Sequence, residues 1–141
     1  MVAGGCLCGA VRYAAEGEPL FSVLCHCRDC QKASGSGHVP VLGMPRGSVK
    51  ISGETKTYTN RGESGRMAVR HFCPICGSLL FGTPDRENGD INLYIGTLDD
   101  PSVFKPTLAI FTRSRASWDS EKNGIPVFAA LPDGKAIESR G

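Results

Sequence analysis

Phe72-Cys73-Pro74-Ile75-Cys76-Gly77-Ser78 decides the reading of this chain. Proline presets the first part of a tight turn, and glycine after the second cysteine relieves the backbone. Backbone N–H groups can then point at the two sulfurs. This is the pattern of a zinc knuckle. One knuckle offers two ligands, whereas a structural zinc takes four in a tetrahedron. Cys6-Leu7-Cys8 offers a second pair. In an extended segment residues i and i+2 share a face, so both sulfurs would reach one metal. The alternative, two buried cysteines used as small apolar filler, leaves the knuckle half-filled. A shared metal would tie the start of the chain to its middle.

A third group, Cys25-His26-Cys27-Arg28-Asp29-Cys30, brings the cysteine count to seven. Cys25 and Cys27 can share a face at a strand end, and Cys30 returns from the following turn. Three protein ligands with a vacant fourth position are the arrangement of a catalytic zinc. A histidine in the fourth place would close the site, and the remaining readings are a nucleophilic cysteine or no metal at all. His26 would point away from its two neighbours if the strand continues, while His38 and His71 stay open as a fourth ligand.

Composition narrows the setting. A chain of 141 residues is expected to form one domain, 1–141. Its 40% hydrophobic and 21% charged residues are those of a globular protein. With 18 glycines and 9 prolines it should hold many turns, short strands and little helix. Sixteen basic against 14 acidic residues give a net charge of +2, with no basic stripe, so no nucleic-acid partner is expected. No apolar run approaches the ~20 residues that span a bilayer, so no membrane partner is expected either. Met1 to Cys6 carries no basic or apolar leader, which points to the cytoplasm, where an odd set of thiols stays reduced.

Short strand-like stretches recur between glycine and proline signals: Val11–Ala14, Leu20–Cys25, Val39–Met44, Val49–Ser52 and Thr55–Thr59, then Met67–Phe72, Ser78–Phe81, Ile91–Ile95 and Thr107–Thr112. Gly53-Glu54 between two of them reads as a hairpin turn. Helix is limited to Cys27–Ala33 and a turn opening at Asp100-Pro101. The segment from Ser114, with Trp118, Pro126 and Phe128, reads as an ordered strap with a loose end. The class is mainly β, an all-β sandwich or folded sheets.

Three stretches are similar to those of one known family: Gly4-Gly5-Cys6-Leu7-Cys8-Gly9-Ala10-Val11-Arg12-Tyr13, Cys25-His26-Cys27-Arg28-Asp29-Cys30-Gln31-Lys32-Ala33-Ser34-Gly35 and Phe72-Cys73-Pro74-Ile75-Cys76-Gly77-Ser78. Gly96-Thr97-Leu98-Asp99-Asp100-Pro101 and the Trp118 to Phe128 segment add to the match. Over about residues 4–128 the chain resembles the glutathione-dependent formaldehyde-activating enzymes. The resemblance implies an Mss4-like fold of folded antiparallel β-sheets around a structural zinc on Cys6, Cys8, Cys73 and Cys76. It implies a second zinc on Cys25, Cys27 and Cys30, hence two per chain. It also implies a carbon–sulfur lyase of the S-(hydroxymethyl)glutathione synthase type, with glutathione and formaldehyde as substrates. One departure stands out. Many relatives place a histidine after the proline of the late strand, where this chain reads Pro106-Thr107-Leu108-Ala109.

Chemistry supports a sulfur partner. A zinc on three thiolates is a weaker Lewis acid than one on three histidines, which argues against hydrolysis and for a soft fourth donor. The expectation is a small thiol, made more acidic there and held beside a small aldehyde. Arg28, Lys32, Arg113 and Arg115 are candidates for the glutathione carboxylates, or solvated surface charges. Asp29 and His26 lie near the sulfurs without an assigned role. Ser34 to Gly37 is a flexible stretch that could admit substrate, or simply a loop. The competing function is a non-catalytic zinc-binding protein-interaction module of the same fold.

Overall fold

A computed structural model describes residues 1–85, 89–120 and 124–132. Among the described residues ten strands carry the architecture: β1 (Val2–Gly5), β2 (Arg12–Ala15), β3 (Phe21–Cys25), β4 (Val39–Pro45), β5 (Val49–Ser52), β6 (Lys56–Arg61), β7 (Met67–Phe72), β8 (Leu79–Pro84), β9 (Asp90–Tyr94) and β10 (Leu108–Ile110). The α-helix α1 (Arg28–Ser34) follows β3, and short 3-10 turns lie elsewhere. The mainly β expectation holds, as do the short helix after Cys27 and the Asp100-capped turn at Pro101–Val103.

The strands form two sheets, one in the order β1-β2-β5 and one in the order β10-β3-β4-β9-β8-β7-β6. Every neighbouring pair is antiparallel except β10 beside β3. Strand β4 explains why its sequence reads as a continuous apolar run. Its alternate residues face opposite ways. Leu42 and Met44 join one core cluster with Tyr13, Ala15, Leu80 and Leu93. Val39 and Val41 join another with Val23, Cys25, Ile110 and Phe111. A strand covered on both faces loses the polar half of its pattern.

The expected hairpin at Gly53-Glu54 does not form. Strand β5 pairs with β2 and strand β6 with β7, so the two residues cross from one sheet to the other. Gly53 has φ +92°, and a Cβ there would overlap the Ala10 carbonyl oxygen. Glycine is required at this corner by close approach rather than by a hairpin. Val2–Gly5, unforeseen as a strand, pairs with β2 from Val2↔Ala15 to Gly5↔Arg12. Its two glycines hid it, because a strand with few side chains shows no alternation.

The late strand is shorter than expected. It stops at Ile110, since Phe111 adopts a left-handed backbone with φ +55°, rare for a residue with a side chain. The strap is ordered where it is described. Ala109 N–H donates to the Pro126 carbonyl at 3.0 Å, and Phe128 N–H to the Ala109 carbonyl at 2.9 Å. The expected loose end lies outside the described residues, as does the middle of the strap at 121–123. Among the described residues no helix is long and apolar enough to cross a membrane.

Candidate functional site

The seven cysteines are all free and fall into two clusters. In the first, the sulfurs of Cys6, Cys8, Cys73 and Cys76 lie within 4.8 Å of one another. Cys6 Sγ is 3.6 Å from Cys8 Sγ, which is 3.8 Å from Cys73 Sγ. The convergence expected between the start and middle of the chain is present, by a different local route. Cys6-Leu7-Cys8 lies in a turn beyond the end of β1, not in an extended segment. Gly9 N–H closes that turn on the Cys6 carbonyl at 3.1 Å, as Gly77 N–H closes the knuckle on the Cys73 carbonyl at 2.9 Å. A turn is needed because the chain must reverse from β1 into its antiparallel partner β2.

Backbone N–H groups point at the sulfurs as the knuckle reading requires. Val11 N–H donates to Cys6 Sγ at 3.3 Å, and Ile75 and Cys76 N–H donate to Cys73 Sγ at 3.4 and 3.5 Å. Ser78 binds the two turns together. Its hydroxyl accepts from Leu7 N–H at 3.0 Å and lies 3.2 Å from Cys76 Sγ. That hydroxyl pulls the Cys76 thiol down to about 5. A bulge between His71 and Phe72 breaks the β7–β8 ladder just before Cys73 and turns the chain into the knuckle.

The second cluster comes from one short segment. Cys25 ends β3, Cys27 caps α1, and Cys30 lies in the first turn of that helix. Cys27 Sγ accepts from Cys30 N–H at 3.2 Å, and Cys30 Sγ lies 3.4 Å from Cys25 Sγ. All three side chains are buried. Hydrogen bonds from Cys25 and then Cys30 pull the Cys27 thiol down to about 3. Contact with Cys27, then with Cys30, pushes Cys25 well up. The contact with Cys25 lowers the Cys30 thiol, but Cys27 and burial outweigh it and push Cys30 up to about 12. One thiolate therefore suppresses the other two. Three together require a cation among them, which is the donor chemistry of a soft metal site.

These sulfurs line a cavity of about 130 Å³, shared with Asp29, Arg70, Tyr94 and Phe111. Arg70 is the residue that sequence reasoning missed. Its Nη2 lies 4.0 Å from Cys30 Sγ, while Nη1 donates to Asn60 Oδ1 at 2.9 Å. Arg28, Lys32, Arg113 and Arg115 do not line the cavity. Arg28 bonds Gln31, and Arg113 lies over the Phe111 ring at 5.6 Å from its centroid. An arginine within the apolar run Met67–Phe72 was the available signal, since strand alternation sends it to the face opposite His71. Asp29 faces inward and accepts from Asn60 Nδ2 at 3.3 Å, whereas His26 faces away. Ser34 and Ser36 line a different cleft, and the cavity is bordered instead by Gly62, Glu63 and Ser64 of the β6–β7 loop.

A family model described as glutathione-dependent formaldehyde-activating enzyme matches residues 1–114. The chain belongs to this family. A crystal structure of a Rhodobacter sphaeroides protein from structural genomics superposes with a TM-score of 0.56 at 16% identity. That match covers 89% of this chain and 98% of that one, and shows a shared fold. Ala109, singled out in the sequence after Pro106, lies in the middle of β10. It is fully buried between β3 and the strap, and only its neighbours Ile110 and Phe111 reach the cavity wall. A side chain at 109 in this backbone would act from outside the cavity.

Proposed function

We propose that this protein is a zinc-dependent carbon–sulfur lyase that adds glutathione, or a similar thiol, to formaldehyde or another small aldehyde. Cys6, Cys8, Cys73 and Cys76 hold a structural zinc, and Cys25, Cys27 and Cys30 hold the catalytic one. The supporting observation is the contrast in surroundings. The four-sulfur set is completed by protein donors alone, whereas the three-sulfur set faces a cavity. Zinc in the three-sulfur set would supply Lewis acidity and make an incoming thiol more acidic.

The residues of this chain define the rest. A cavity of about 130 Å³ has room for a few small-molecule heavy atoms. The aldehyde fits inside, and the body of the tripeptide lies over the rim at Gly62 to Ser64. In the reaction a carbon–sulfur bond forms and the thiol proton passes to the former carbonyl oxygen. Arg70 faces the same cavity and supplies positive charge where that oxygen turns negative. The apolar wall of Val23, Ile110 and Phe111 keeps bulk water away from the adduct. The whole chain acts as one unit, in the thiol-reducing cytoplasm.

The test measures formaldehyde loss and S-hydroxymethylglutathione formation by NMR with the zinc-loaded protein. Turnover above the spontaneous reaction, abolished by Cys30→Ala, supports the reading. A rate equal to the spontaneous one defeats it. The alternative is an interaction module, and Leu7 and Ile75 favour it. These apolar side chains are 90% and 75% exposed on the two turns that hold the four sulfurs.

A further inference from the structure

The ligand loop carries a second set of donors on the side away from the three sulfurs. His26, between Cys25 and Cys27 in sequence, has a fully buried side chain. Its Nδ1 lies 3.5 Å from Asp119 Oδ2, and His38 Nδ1 lies 2.6 Å from the same oxygen. The two rings are 4.8 Å apart at their centroids and tilted by 43°. One donor atom from each of the three residues lies within 4.8 Å of the others. Three separate segments supply them: the end of β3, the residue before β4, and the strap beside Trp118.

An ordinary ion pair needs one imidazole per carboxylate. Here two Nδ1 atoms converge on one oxygen, as they would around a shared cation. Metal–ligand bonds of about 2.0–2.2 Å put donor atoms on the order of 3–3.5 Å apart. The His26 distance already lies in that range, and the shorter His38 distance opens once a cation replaces the bridging proton. A cleft lined by His38, Ser34 and Ser36 adjoins the cluster. The side chains of His38 and Asp119 are 28% and 15% exposed, so the set is reachable from solvent while His26 forms its buried base.

We propose that His26, His38 and Asp119 form a third metal site, distinct from both cysteine sets. Its two imidazoles and one carboxylate suit a first-row divalent ion of nitrogen and oxygen preference, such as Ni²⁺, Co²⁺ or Fe²⁺, rather than a thiolate-seeking one. Water from the cleft completes the coordination. Because Asp119 lies on the strap and His26 on the ligand loop, an ion here joins the strap to the strand end that carries Cys25.

The experiment titrates Ni²⁺ into untagged protein carrying its cysteine-bound metal, by calorimetry, with nickel and zinc counted after desalting. The expected result is one Ni²⁺ per chain with no zinc released. Asp119→Asn and His38→Gln should each weaken that binding at least tenfold, and His71→Gln, on another strand, should leave it unchanged. Absence of Ni²⁺ binding, entry only by displacement of zinc, or binding indifferent to both substitutions overturns the proposal. Co²⁺ added to the wild-type protein gives a readout free of variant folding. Weak visible bands without intense sulfur-to-cobalt absorption support the site, and strong sulfur charge transfer overturns it.

Discussion

The two cysteine sets use the same side chain and differ in everything around it. Cys6, Cys8, Cys73 and Cys76 come from two turns far apart in the chain, each closed on itself and both held by Ser78. Cys25, Cys27 and Cys30 come from a single strand-to-helix segment and face a cavity with Arg70 beside them. The first set joins the β1–β2 turn of one sheet to the β7–β8 turn of the other. The second joins nothing distant and leaves a side open. A metal bound by residues far apart in sequence contributes to folding, whereas one bound within a local loop can be lost with the fold intact.

The largest effect should follow Cys73→Ser. Structural zinc in small sites contributes on the order of 10 kcal/mol, comparable with the ~5–15 kcal/mol stability of a whole domain. Circular dichroism on heating should show no cooperative transition, and a folded, soluble variant would dissolve the distinction between the sets. Cys30→Ala comes next. Elemental analysis should fall from two zincs per chain to one, with activity lost and the melting transition kept. Global unfolding there would make the second set structural as well.

Arg70→Met sharpens the comparison from the cavity side. Removing one charge aimed at a developing oxyanion costs on the order of 100-fold in rate. Steady-state kinetics should show that loss with both zincs retained, and loss of the second zinc would mean that Arg70 serves the sulfurs instead. Gly77→Ala is the smallest. Gly77 has φ +78°, and a methyl group added there would meet nothing within 4 Å, so only backbone strain of about 1–2 kcal/mol is added. The midpoint of thermal unfolding should fall by a few degrees, and an unchanged midpoint would show that the turn is not held in this conformation.

Much of this arrangement is legible residue by residue. The knuckle, the segment from Cys25 to Cys30 and the outward-facing His26 follow from spacings of a few residues. Cys6-Leu7-Cys8 reads as extended and folds as a turn, because strand and turn both bring two nearby sulfurs together. Arg70 is hidden in the sequence because its partner, Cys30, is brought to it by the sheet rather than by its own strand.

The sequence by itself determined the three cysteine groups, the mainly β class and the short helix that follows Cys25. These depend on turn geometry and strand alternation, which act over two to five residues. Tertiary structure alone decided that β5 pairs with β2, that Arg70 meets Cys30, and that Asp119 meets His26 and His38. Those meetings span from about forty to ninety residues, where the order of strands in the sheet and the path of the strap set the neighbours. No local preference of the backbone reaches that far.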